Sequence, residues 1–163
     1  MATMEEYAKQ PREQRLQRLE RTADELAAMI TGQSAGTLAK RPDAKNWAGV
    51  EVICHLRDVE ESFSRLFQMF LAMDDMKILP SDVDRWAVGR QYIRCDAQES
   101  VDAFRKHRAE NLDTFRKLTP EQWQRGGTHP ARGRMTFDNF VSLLCFHDDN
   151  HLDQLSRALV GKP

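Results

Sequence analysis

Apolar residues return every three or four positions in four separate segments of the chain. None of the four shows the sustained alternation of a half-buried strand. The first segment, roughly Glu5 to Ile30, carries the stripe Leu16, Leu19, Ala23, Leu26, Ala27, Ile30, with Arg and Glu on its outer face. Gly32 and Gly36 stop it. A polar linker from Thr31 to Asn46 contains Pro42 and ends at Trp47. The second segment, about Val50 to Met73, has the stripe Val52, Leu56, Val59, Phe63, Leu66, Phe67, Phe70. A crossover loop, Asp74 to Asp96, follows with Pro80, Gly89, Trp86 and Tyr92, and has room for a short helical turn. Loops this long inside a domain often serve function.

The third segment, about Ala97 to Leu118, repeats Val101, Phe104, Leu112 and Phe115. Arg108 and Asn111 fall on or beside the same face, an odd place for them. Gly126-Gly127-Thr128-His129-Pro130 and Gly133 read as a second loop. Thr136 is a natural N-cap for the fourth segment, with Asp138 in its first turn, and Gly161 ends that segment. Its inward stripe is Phe137, Phe140, Leu144, His147, His151, Leu155. Four helices with one apolar face each predict an all-α four-helix bundle. The linkers are long enough for a crossover connection.

Length and charge narrow the picture. The 163 residues suit one domain spanning 1–163. A formal net charge of −1 with 30% charged residues gives no long-range attraction for a polyanion, so nucleic acid is not an expected partner. The longest strongly apolar run, around Leu66 to Met73, is too short to span a bilayer, so no membrane association is expected. The N-terminal stretch has no apolar signal core. Cys54, Cys95 and Cys145 are odd in number and form no CxxC pair, which fits reduced thiols in a cytoplasm.

The chemistry lies in the histidines. His147 and His151 are four apart, so on a helix they stand within about 40° of each other and roughly 6 Å apart along the axis. His55 follows Val52 by three and precedes Val59 by four, on the edge of the second helix's stripe. Three imidazoles on the inward faces of two helices can hold a divalent first-row metal with a coordination position open for catalysis. The competing explanation is three core histidines satisfied by hydrogen bonds. No Glu-x-x-His pair is present, which disfavours a dinuclear ferritin-like centre.

Other residues carry two readings each. Arg108 can grip a carboxylate substrate or thiol cofactor in two-pronged fashion, or pair with Asp148 or Glu60. Asp148 or Asp58 can orient a ligand imidazole, although the angle of Asp58 also suits a solvated helix surface. His129 reads as a loop residue or a proton shuttle at the site's mouth. Trp47, Trp86 and Tyr92 wall a pocket or complete a core. Cys54 and Cys145 point away from the neighbouring histidines and read as inert buried thiols.

Two stretches resemble a known family. Trp47-Ala-Gly-Val-Glu51-Val-Ile-Cys-His55-Leu-Arg-Asp58-Val-Glu60 resembles the opening motif of the DinB-like superfamily. Thr128-His129-Pro130 with Gly133 and Thr136, and then His147-Asp148-Asp149-Asn150-His151-Leu152-Asp153-Gln154-Leu155, resembles the closing one. The chain is also similar to the related YfiT-type and bacillithiol transferase proteins. The resemblance implies a four-helix bundle with a crossover, often a homodimer. It implies a mononuclear divalent metal on His55, His147 and His151, zinc or nickel first, iron or manganese as alternatives. It further implies thiol-dependent chemistry on a small molecule, with a low-molecular-weight thiol as co-substrate. Two functions follow as expectations: a metal-dependent thiol transferase or hydrolase, and a non-catalytic metal- or small-ligand-binding stress-response bundle protein.

Overall fold

The computed structural model describes residues 2–73, 75–80 and 82–163. In chain order its elements are α1 (Met4–Ala8), α2 (Arg12–Ile30), α3 (Ala35–Leu38), α4 (Gly49–Ala72), β1 (Met76–Lys77), α5 (Val83–Gly89), a 3-10 turn (Tyr92–Arg94), α6 (Ala97–Lys117), α7 (Pro120–Trp123), β2 (Gly126–His129), β3 (Gly133–Thr136) and α8 (Phe137–Leu159). The four long helices α2, α4, α6 and α8 form the bundle. Helices α2 and α4 each pack against α6 and α8. The ring order is therefore α2, α6, α4, α8, so α2 and α4 lie diagonally, as do α6 and α8. The 31–48 and 118–136 linkers make those diagonal crossings, so the bundle has crossover connections as expected. The segment read as the crossover, Asp74 to Asp96, instead joins the neighbouring helices α4 and α6.

Three local departures have physical causes. The first apolar segment is two helices, because Pro11 has no N–H to donate and its fixed φ of −52° sits at the entry to α2. The loop expected from Asp74 onward contains α5, capped by the Asp82 side chain on the Arg85 N–H at 3.0 Å. Asp74 itself lies outside the described residues. The Gly126–Thr136 stretch, read as a loop, is a hairpin: β2 pairs antiparallel with β3, and β1 adds parallel to β2. A Cβ on Gly126 would stand 2.0 Å from the Met135 carbonyl oxygen, so only glycine allows the two strands to close there.

The core divides into two apolar clusters along the bundle. One gathers Ala23, Leu26, Ile53, Leu56, Val101, Phe104 and Leu155. The other gathers Leu19, Phe67, Phe70, Phe115, Phe137, Phe140 and Leu144, with the Phe67 ring 5.0 Å from Phe115 and 5.4 Å from Phe137. Between them, at one level on every helix, lies a polar layer: Thr22 on α2, Glu60 on α4, Arg108 and Asn111 on α6, and Asp148 on α8, all buried.

Arg108 binds all three other helices at once. Its guanidinium donates to Glu60 Oε1 and Oε2 at 2.9 and 2.8 Å, to Asp148 Oδ2 and Oδ1 at 2.6 and 3.1 Å, and to the Leu19 carbonyl at 3.0 Å. Asn111 donates to Glu60 Oε1 at 2.7 Å, and the Thr22 hydroxyl to Asp148 Oδ2 at 2.6 Å. Every charge in the layer is therefore paired and hydrogen-bonded, the condition under which burial is tolerated. Arg108→Met would strand two buried carboxylates. We expect it to lower unfolding free energy by about 3–5 kcal/mol, measured by urea denaturation; an unchanged midpoint would show that the layer contributes nothing to stability.

Candidate metal centre

Helices α4 and α8 are neighbours in the ring, and both run through the polar layer. That brings His55 of α4 against His147 and His151 of α8, one turn apart. One ligand-capable atom from each of the three lies within 4.8 Å of the others, the only such set of three or more among the described residues. His55 Nε2 and His147 Nε2 are 3.1 Å apart. Ring centroids are separated by 4.5 Å for His55 and His151 and 4.4 Å for His147 and His151. His55 is buried; His147 and His151 are half-buried.

The donor set fits a metal. Metal–nitrogen bonds of about 2.0–2.1 Å at tetrahedral angles put ligand nitrogens about 3.3 Å apart, close to the 3.1 Å between His55 and His147. His151 Nδ1 is 2.7 Å from Gln154 Oε1, an acceptor, so Nδ1 carries the proton and Nε2 presents its lone pair. Burial pushes all three imidazoles below their ordinary pKa. His55 falls to about 2 through burial and then the two neighbouring rings. His147 is lowered by burial, then by His151 and Arg108. His151 is lowered by burial, opposed by Gln154 and Asp148. All three are neutral, and able to ligate, at pH 7. No carboxylate belongs to the set, which favours a borderline transition metal over magnesium or calcium. His55 Nδ1 is buried without a hydrogen-bond partner, so that ring is held by packing, with Trp47 at 5.1 Å between centroids.

The surrounding residues settle several readings. Arg108 is fully buried under Glu60 and Asp148 and does not line the cleft beside the histidines. Asp148 gives its oxygens to Arg108 and Thr22, and its Oδ1 stays 4.0 Å from His147 Nδ1, too far for a hydrogen bond. Asp58 is not on a solvated surface. It is 3% exposed and accepts from Arg57 at 2.7 Å, Arg90 at 2.6 Å and the Tyr92 hydroxyl at 2.6 Å. Burial would raise its pKa, but those bonds hold the carboxyl below its usual range. Its wheel angle faces α5 and the 3-10 turn, the elements that the α4–α6 connection folds back over α4. Tyr92 belongs to that core, whereas Trp86 lines the cleft. Cys54 donates toward the Tyr92 carbonyl and Cys145 toward that of Arg15. Burial raises both thiols to about 12, so both stay neutral.

His129 is brought to the mouth of the site by the hairpin and lines the cleft with His55 and His147. The residue that sequence reasoning missed is Gln154. Its signal was available, three positions after His151 on one helical face.

A bundle with crossed connections and a three-histidine cluster beside an open cleft defines a class of candidate metalloproteins. The chain belongs to the DinB superfamily, whose family model matches residues 18–155. It is similar to YfiT of Bacillus subtilis (strain 168), named a candidate metal-dependent hydrolase, with 23% identity over 159 residues, 95% of this chain and 89% of that protein. The solved structure of B. subtilis YfiT, a four-helix bundle whose topology is called unusual, matches with a TM-score of 0.84 at 20% identity. The match covers 97% of this chain and 88% of that one.

The depressed histidine pKa values make a pH prediction. Below pH 6.5 the unfolded chain binds protons on these rings and the folded chain does not, so stability falls as pH drops through and below 6.5. For His55, with its folded pKa of about 2, the metal-free protein should lose about 2 kcal/mol between pH 7 and pH 5. Urea titrations at both pH values, with His55→Gln as reference, check this; equal losses in the two proteins would refute it.

Proposed function

We propose that the chain is a metal-dependent hydrolase of small molecules, holding one divalent cation on His55, His147 and His151. The observation that carries this reading is the arrangement itself. Three neutral imidazoles converge, two of them, His55 and His147, lining a solvent-accessible cleft, and no fourth protein ligand stands with them among the described residues. A divalent first-row metal at such a position acidifies water or a thiol and polarises a substrate oxygen. The family resemblance adds a low-molecular-weight thiol as the alternative nucleophile, which would make the reaction a transfer. Zinc and nickel suit the all-nitrogen set.

The chain's own residues supply the rest. Gln154 holds His151 in one tautomer. Trp47 packs on the buried His55 ring. His129 Nδ1 accepts the Ala131 N–H at 3.1 Å, so the neutral ring carries its proton on Nε2. Nε2–H can donate a hydrogen bond to a molecule bound in the cleft.

Elemental analysis of natively purified protein should give one metal per chain, lost in His55→Ala and His151→Ala. Gln154→Ala should keep the fold and weaken metal affinity about 10–100-fold. Chromogenic esters, assayed with and without a small thiol, should be turned over only by the metal-loaded wild type; dependence on the thiol decides between hydrolysis and transfer. Stoichiometric metal with no turnover of any electrophile would favour a non-catalytic binding protein.

A further inference from the structure

The cleft beside the histidines has an unequal lining. It encloses about 210 Å3, and its apolar walls include Val59, Phe63, Ile78, Trp86, Met135 and Phe140. Its polar lining residues are Ser62, His55, His147, His129 and Arg132. None of the described lining residues is a carboxylate. Every polar group facing a bound molecule is thus neutral or positive, and a divalent cation on the histidines would add to that sign.

Arg132 stands out among the arginines of this region. It sits at the tip of the β2–β3 hairpin, placed by its backbone N–H on the His129 carbonyl at 3.3 Å. Arg134, two residues on, is paired with Asp75 at 2.9 Å. The Arg132 guanidinium has no hydrogen bond or ion pair among the described residues, and it is exposed at the cleft. His129 sits in the same turn. With Nδ1 occupied by the Ala131 N–H, it offers a second donor, Nε2–H, at the same rim.

We propose that the cleft takes a small molecule with an apolar body and one anionic end, a carboxylate. The body lies between Phe63 and Phe140 on one side and Trp86 on the other. The carboxylate lies on Arg132, with His129 as second donor. This deepens the reading of the site as a small-molecule site and rests on it. A cavity of about 210 Å3 limits the occupant to a small molecule, below the range of drug-sized pockets. An apolar wall supplies affinity without direction; the free guanidinium at one end fixes which way the molecule enters.

The test is calorimetric titration of the purified chain with 4-phenylbutyrate and with 4-phenylbutan-1-ol, which share a body and differ in charge. The acid should bind about tenfold or more tighter than the alcohol. Arg132→Gln, a change at an exposed turn that leaves the fold intact, should bring the two probes to near parity without weakening the alcohol. Trp86→Ala should weaken both together. The preference should survive metal removal by a chelator. Equal binding of acid and alcohol, no binding of either, or a preference that persists in Arg132→Gln would overturn the proposal. So would a preference lost on chelation alone, which would place the carboxylate on the metal. Because binding is read, not turnover, a chain that carries no metal or cleaves no ester would sink the hydrolase reading and leave this result to stand or fall separately.

Discussion

The bundle is organised around one cation that solvent does not reach. Arg108 is 2% exposed and takes acceptors from α2, α4 and α8 while standing on α6. An unpaired guanidinium there would be prohibitive, so the three partner helices must arrive in one register for the charge to be met. Apolar stripes alone tolerate sliding by a turn, because Leu against Leu differs little from Leu against Phe. A two-pronged ion pair does not tolerate it. The Phe-rich cluster on one side and the Leu- and Val-rich cluster on the other supply the burial that drives collapse. The polar layer between them sets the level at which the helices meet.

That register places the histidines. His147 precedes Asp148 in sequence and His151 follows it by one turn, so fixing Asp148 on Arg108 and Thr22 fixes the level of both rings. Glu60, five residues after His55, anchors α4 at the same level. The layer also consumes its own carboxylates. Asp148 and Glu60 face Arg108, and Asp58 faces Arg57, Arg90 and Tyr92. The three imidazoles therefore meet one another with no acid among them. A carboxylate in that set would raise the rings' pKa by charge attraction. Its absence, together with burial, keeps them neutral and able to ligate.

The sequence made much of this legible, and the limits are instructive. The stripes gave four helices because a buried face is written locally, every 3.6 residues. The three histidines were legible because two lie on one helix and the third on the edge of a stripe. Arg108 and Asn111 were visible as anomalies, but choosing between a substrate grip and an internal ion pair required knowing what faced them. That is a property of the ring order α2, α6, α4, α8, and no spacing within one helix encodes it. Neither reading of Asp58, as an imidazole's partner or as solvated surface, foresaw its burial, for the same reason: its angle is measured against the bundle, whereas its cover comes from the α4–α6 connection outside the four stripes. The hairpin escaped because its two strands are four residues each and glycine-rich. Yet Gly126, and a Pro130–Arg132 loop closed by Gly133 at φ +71°, form a recognisable hairpin signature.

The hairpin matters because four helices alone leave the histidine wall facing open water. β2 and β3 lie in the long diagonal connection between α6 and α8, a segment that the crossed topology requires for its reach. Its folding back on β1 carries Met135 and Ile78 over one side of the cleft and His129 to its rim. The 118–136 connection thus does two jobs with one length of chain: it sets helix order and, together with the α4–α6 connection, it turns a ligand cluster on a helical wall into a partly enclosed cleft with an apolar side. Enclosure is the step that gives the cluster chemical use, since the same imidazoles on an open surface would bind a cation but hold no substrate beside it.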